Sequence, residues 1–197
     1  MSSSPLAEQK ERLRVSILER LAHLSEKDRE AESRSVVRRL LEIVPADAVI
    51  CGFVPMKTEA NILPFLEEVL TRGQRLFLPT FDGHTIALRA VNDLSQLRVN
   101  SFSIPEPPRD APLLDPQEPV IAIIPGRAFD ARGARLGRGN GAYDRWIKER
   151  RTTSTDSRYY GTALLCQLVN EVPMAEHDQF LDGVVLASGL IEAKKEQ

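Results

Sequence analysis

Residues 133–145 read GARLGRGNGAYDR, with glycines at Gly137, Gly139 and Gly141 alternating with Arg138 and Asn140, and with Arg135, Asp144 and Arg145 close by. Glycine tolerates positive φ and lets the backbone come close to a ligand, so successive N–H groups can converge on anionic oxygens. Arginine adds planar, permanently charged forks that match phosphate. Neither standard nucleotide fingerprint fits, because GxxxxGK[ST] needs a lysine and a hydroxyl after the last glycine and GxGxxG needs a different third spacing. A tight turn with solvated arginines is the competing reading of any glycine-rich loop. The interleaved arginines and the strand-loop-helix setting favour a phosphate cradle.

The surrounding elements must hold that loop. Apolar residues at helical spacing predict an amphipathic helix over 5–24 and a second over 26–44, with Ser25 placed to cap it, which together make an N-terminal helical hairpin. The short β-branched run 48–54 reads as a strand covered on both faces. A helix is predicted over 58–71, opened by Thr58. Strands follow at 75–78 and 85–90, then a proline-rich excursion over 104–119, a buried strand at 119–124 and, beyond the loop, a helix over 141–151. Two further strands are expected at 159–165 and 181–187. This alternation implies one α/β domain over 1–197, a three-layer α-β-α arrangement with a mainly parallel, Rossmann-like sheet. Ligands of such sheets bind beyond the carboxyl ends of the strands, where the loop falls. Residues 1–4 and 194–197 are expected to be flexible.

The totals set outer limits. With 197 residues, 42% of them hydrophobic, the chain can bury a sizeable core, and a net charge of −2 provides no global basic field for non-specific nucleic-acid binding. The arginines are not interleaved with a stacking platform of aromatics, which argues against RNA. Cys51 and Cys166 each lie in an apolar run, as buried thiols of a reducing compartment would, although a bridge between them stays open. No apolar stretch is long enough for a membrane span, and the first residues lack the apolar core of a secretory signal. The cytoplasm is the expected location, and a monomer the expected state, with a dimer left open.

The run IIPGRAFDARGARLGRGNGAYDR, residues 123–145, resembles the signature of the 5-formyltetrahydrofolate cyclo-ligase (5,10-methenyltetrahydrofolate synthetase) family: a strand ending in PG, an FD a few residues on, then RLGxGxGYYDR. The likeness runs along the chain. KERLR at 10–14 is similar to the family's KxxLR, FVPMKTEANI at 53–62 to its strand-and-glutamate motif, and Leu78-Pro79 to an LP after the next strand. Residues 104–107 resemble its GIxEP, and CQLVNEVPMAEHDQFLD at 166–182 its QxxxxxPxxxHDxxLD.

The resemblance implies ATP- and Mg2+-dependent conversion of 5-formyltetrahydrofolate to 5,10-methenyltetrahydrofolate through phosphorylation of the formyl oxygen. It implies that Lys10 and Arg14, four apart on one helix face, and Arg135, Leu136, Gly137, Arg138, Gly139, Asn140, Gly141, Ala142 and Tyr143 bind ATP. Arg138 and Arg145 would be catalytic through their charge. Val54 and Glu59, with Arg138, Gly139, Asn140, Gly141 and Ala142, would border the reduced folate. Asp144 and Asp178 would hold Mg2+. Without the family these residues would read as a solvated helix face, helix-start carboxylates and a loop aspartate. His177 reads as a neighbour of the site or a surface residue, and not as a ligand.

The chain departs from the family pattern at three places. Ala142 stands where the loop has an aromatic ring, Ser103 where GIxEP has glycine, and Leu186-Ala187-Ser188 where a TE often follows the last strand. A missing ring at 142 removes a stacking face from the folate side. Two alternatives follow: an ATP-dependent enzyme acting on another folate or a formylated amide, and a catalytically silent nucleotide- or folate-binding module.

Overall fold

A computed structural model describes residues 4–194. The two N-terminal helices form as their patterns require. α1 (Pro5–His23) is capped by Ser4, whose hydroxyl accepts from the Ala7 amide, and α2 (Glu26–Ile43) by Ser25, which accepts from Asp28. The flexible ends expected from sequence fall on residues 1–3 and 195–197, outside the described residues, and on Ser4 and Lys194 within them.

Four of the strands, at Ile50–Cys51, Ile121–Ile124, Arg158–Thr162 and Gly183–Leu186, are shorter than the runs expected for them. β1 (Ile50–Cys51) forms ladder pairs over two residues of the run 48–54. After it comes α3 (Leu63–Thr71), which starts five residues later than expected. The cause is Pro64. In a helix begun at Thr58 its ring would strike the carbonyl four residues back and break a hydrogen bond, whereas in the first turn it costs nothing. Residues 56–59 instead form a turn, closed by the Glu59 amide donating to the Met56 carbonyl at 2.9 Å, and residues 60–62 lead irregularly into the helix.

β2 (Leu76–Phe81) and β3 (Ile86–Val91) form a hairpin, its turn closed by Asp82 accepting from the amides of His84 and Thr85. The proline-rich excursion is irregular as expected, apart from the pairing of β4 (Arg98–Val99) with β5 (Pro105–Glu106) and an antiparallel bridge from Leu113 to Arg89 of β3. β6 (Ile121–Ile124) leads into a small hairpin of β7 (Ala128–Phe129) and β8 (Arg135–Leu136), which the sequence pattern did not announce. α4 (Ala142–Thr153), β9 (Arg158–Thr162), β10 (Gly183–Leu186) and β11 (Gly189–Glu192) complete the chain.

The main sheet has the order β11-β10-β9-β6-β1-β2-β3. Its five inner strands run parallel, and β3 and β11 are antiparallel edges. Successive side chains point to opposite faces, and both faces are apolar. Ile50, Leu76, Leu78, Ile123 and Val185 pack under α1, α2 and α3. Cys51, Phe77, Ala122, Ile124 and Val184 face the other way, toward Ile147 of α4. This is the three-layer α/β fold expected. The helical hairpin does not stand alone: α2 packs on β10, β11 and α3, and α1 on β7 and the turn at Leu165–Gln167. Both cysteines are free, and burial pushes the Cys51 thiol up to about 12. Among the described residues no helix is long and apolar enough to cross a membrane.

Candidate active site at the sheet switch point

From β1 the chain turns toward β2 on one side, and from β6 it turns toward β9 on the other. The segments leaving the carboxyl ends of β1 and β6 therefore part at one crevice, the position where open parallel sheets take ligands. Residues 53–62 come from the first and residues 125–141 from the second. A cavity of about 720 Å3 opens there, within the size range of ligand pockets.

The loop forms one wall. A Cβ at Gly137 would lie 2.8 Å from the Arg135 guanidinium, which would have to shift from its place beside Asp144. Gly139 and Gly141 take φ values of 110° and 65°, so only glycine enters this path to α4 without strain. The Asn140 side chain then accepts from the Ala142 amide at 3.2 Å and helps start the helix.

Helix α1 crosses the loop. Lys10, Arg14, Ile17 and Leu21 lie on one helical face, and the last two are fully buried, each stabilising the docked helix by about 1.5–3 kcal/mol. Their burial fixes the first two over the cavity. Arg14 donates through Nε to the Gly137 carbonyl at 3.0 Å, and Lys10 bonds Asp178. The helix is thus tied to the loop, as the expected roles of these cations require.

Four carboxylates line the cavity; Glu106 accepts from the Phe81 amide and the Asn100 side chain, and the other three are each bonded to a cation. Glu59, 7% exposed, accepts from Arg138 at 2.8 Å through one oxygen and from the Met56 amide at 2.9 Å through the other. Asp144 pairs with buried Arg135 at 2.8 Å and accepts from the Gln179 amide at 3.2 Å. Asp178 accepts from Lys10 and from the Ala175 amide at 2.6 Å. Burial pushes its carboxyl upward, but the Ala175 amide, Lys10 and His177 outweigh that and hold it below the usual range. Burial, with Glu59 nearby, raises the Tyr143 phenol. Arg135 lies 5.6 Å from the Tyr143 ring and leaves its buried Nε without a partner.

Leu136, Ala142 and Val54 also line the cavity, so the expected residues converge on it with one exception. The Arg145 guanidinium is directed elsewhere, donating to the backbone carbonyls of Asn140, at 2.9 Å, and of His84. It straps the loop to the β2–β3 hairpin, and the cavity wall does not include it.

Several contributors were not singled out as site residues from the sequence. Phe53, Phe81, Phe102 and Ile104 give the cavity an aromatic and aliphatic side, with Phe81 and Phe102 5.3 Å apart. Ser103, in place of the family's glycine, has φ 60° and is the one described non-glycine residue in the left-handed region. Asp130, fully buried, accepts from the amides of Arg132, Ala134 and Val172 and so fastens the β7–β8 turn to the segment before Asp178. Gln167, also fully buried, donates to the Gly126 and Arg127 carbonyls at 3.0 and 3.2 Å. The FD and QxxxxxP motifs were the available hints, but their burial is a tertiary property.

Fold and site define an α/β enzyme with a cation-rich, glycine-lined cavity at the switch point of its sheet. The chain belongs to the 5-formyltetrahydrofolate cyclo-ligase family, whose model matches residues 6–187. It is therefore a ligase of folate chemistry. The 5-formyltetrahydrofolate cyclo-ligase of Escherichia coli K12 is 31% identical over 147 residues, covering 73% of this chain and 80% of that one. The enzyme of the same name from Mycolicibacterium smegmatis is 26% identical over 178 residues, covering 86% and 89%. Among solved structures, 5,10-methenyltetrahydrofolate synthetase of Aquifex aeolicus matches with a TM-score of 0.79 and 29% identity, over 95% of this chain and 94% of that one.

Proposed function

We propose that the protein converts 5-formyltetrahydrofolate to 5,10-methenyltetrahydrofolate at the expense of ATP. One observation carries the reading: a single cavity joins the arginine-glycine loop and the cations of α1 to Glu59 and an aromatic wall. One side suits a polyphosphate, the other a flat heterocycle.

On this reading Lys10, Arg14 and the amides of residues 136–141 hold the nucleotide. Arg138 faces the transferring phosphoryl group. Glu59, with two oxygens to offer, accepts from the amino-pyrimidine edge of the pterin, and Phe102 supplies stacking surface that Ala142 does not. The formyl oxygen attacks the terminal phosphorus and ADP leaves. N10 then attacks the activated carbon and gives up its proton, and the former formyl oxygen departs with phosphate, closing the methenyl ring. Transfer of this kind needs in-line positioning and neutralised charge more than a protein nucleophile. Arg145 acts as the strap that holds the loop in place.

Magnesium fits the donors present. Asp144 and Asp178 offer hard carboxylate oxygens at one wall, brought together because Gln179, next to Asp178, bonds Asp144. Among the described residues no cluster of three or more potential ligands occurs. Two carboxylates suit Mg2+, which keeps waters and takes substrate phosphates as its remaining ligands. Bound there, the ion would neutralise phosphate charge.

The test is turnover of the purified chain with 5-formyltetrahydrofolate, ATP and Mg2+. Equimolar methenyl product and ADP are expected, and ADP without methenyl product would reject the substrate. A panel of other formylated folates and amides tests the alternative of a different acceptor.

A further inference from the structure

Arg127 lies between β6 and β7; neither it nor Thr58 is part of the cavity lining, which includes their chain neighbours Gly126 and Glu59, so the two residues stand just behind the wall that Arg138 and Glu59 form. Its backbone is pinned on both sides: its amide donates to the Leu136 carbonyl at 2.7 Å, and its carbonyl accepts from Gln167 at 3.2 Å. Its side chain is half-buried and crosses the crevice, where Nη1 donates to the Thr58 hydroxyl at 2.8 Å. The same hydroxyl lies 3.5 Å from the Arg138 guanidinium. Two guanidinium groups thus converge on one neutral oxygen.

That arrangement is short of negative charge. The carboxylate whose field favours the Arg127 cation is Glu59, and its oxygens are already taken by Arg138 and the Met56 amide. Among the described residues no carboxylate forms an ion pair with Arg127. Burial and the neighbouring Arg138 and Arg14 all weaken its hold on its proton, as expected of a cation packed among like charges. An oxyanion between Arg127 and Arg138 would relieve this, since arginine forks bind phosphate and carboxylate with paired, charge-assisted bonds.

We propose that Arg127, Arg138 and the Thr58 hydroxyl form a subsite for the terminal phosphoryl group of the nucleotide. The inference rests on the folate reading of the cavity. Two sources of oxyanion exist there, the nucleotide's phosphate and the carboxylates of the folate's glutamyl tail. If Glu59 holds the pterin edge, the tail lies on the far side of the aminobenzoyl ring, whereas the formyl group on the pterin and the phosphate it attacks lie near Thr58. Phosphate is the better match.

Calorimetric titration of the full chain with ATP–Mg2+, ADP–Mg2+ and 5-formyltetrahydrofolate, in wild type, Arg127→Gln and Arg127→Lys, tests it. Loss of one charge-assisted contact should weaken ATP binding to Arg127→Gln about tenfold or more, with ADP and folate affinities unchanged and partial recovery in Arg127→Lys. A loss confined to the folate would overturn the phosphoryl assignment, and equal affinities for all three ligands would overturn the subsite. Inorganic phosphate gives a readout independent of the folate reading. Against chloride at matched ionic strength it should raise the Tm of wild type more than that of Arg127→Gln, and equal shifts would count against Arg127 even if no folate bound.

Discussion

Arg138 donates to Glu59 at 2.8 Å, so the carboxylate suited to a heterocycle is held by the arginine suited to a phosphate. The contact spans the crevice between the segments leaving β1 and β6, and it competes with the contacts that each residue would make to a ligand. Under the proposed function the two substrates are therefore linked. Nucleotide draws Arg138 away and frees Glu59, and a non-hydrolysable ATP analogue should raise folate affinity about five- to tenfold, within the usual range of coupling energies. Arg138→Ala should remove that dependence. Folate affinity unaffected by nucleotide in wild type would show that the pair does not gate the site.

Arg138, inside the glycine loop, and Arg145, just beyond it in α4, should behave differently. Arg138 lines the cavity, and Arg138→Ala should lower kcat by about 10². Arg145 straps backbone carbonyls outside the cavity wall, so Arg145→Ala should mainly raise the KM for ATP, with kcat reduced less than about tenfold. Steady-state kinetics on both variants separates these outcomes. A kcat loss in Arg145→Ala equal to that in Arg138→Ala would assign Arg145 to the reacting phosphoryl group.

Asp178 ties α1 to the C-terminal segment through Lys10. Its carboxyl sits below the usual range in the folded chain, so its stabilising effect is complete above the unfolded value of about 3.9 and is lost as pH falls through the lower folded value. Asp178→Asn should cost about 2 kcal/mol at pH 7, as removal of a charge-assisted partner does, and the gap from wild type should narrow toward pH 3. Urea unfolding at both pH values measures it. A gap that widens in acid would reverse the assigned direction.

Ser103 bears φ 60° on an exposed turn next to Phe102. An L-residue in this region costs about 1–2 kcal/mol, part of which glycine gives back through its freer unfolded chain. Ser103→Gly should stabilise the protein by about 0.5 kcal/mol, a rise of roughly 1–2 °C in Tm for a chain this long. Thermal unfolding of the two proteins decides it, and a lower Tm for the variant would mean that the serine side chain contributes more than the strain costs.

Local pattern made much of this legible. The apolar stripe of α1, with Lys10 and Arg14 continuing the face of Ile17 and Leu21, is a sequence property, and so is the alternation that buries Ile123 and Ile124 on opposite faces of the sheet. Pro64 is equally visible in the sequence, and its restriction on helix interiors, not the Thr58 hydroxyl, sets the start of α3. Pairings distant in sequence were not legible. Nothing local indicates that Glu59 meets Arg138, that Asp130 accepts from Val172, or that the Arg145 guanidinium turns to His84. Nor does anything local indicate the setting of Arg127, which depends on Thr58 across the switch point.

The central claim is that the formyl oxygen is phosphorylated in this cavity, and isotope transfer tests it most directly. With 5-formyltetrahydrofolate carrying 18O in its formyl group, turnover with ATP and Mg2+ should place the label in inorganic phosphate, one labelled phosphate for each methenyl product. Methenyl product formed with the label absent from phosphate would contradict it.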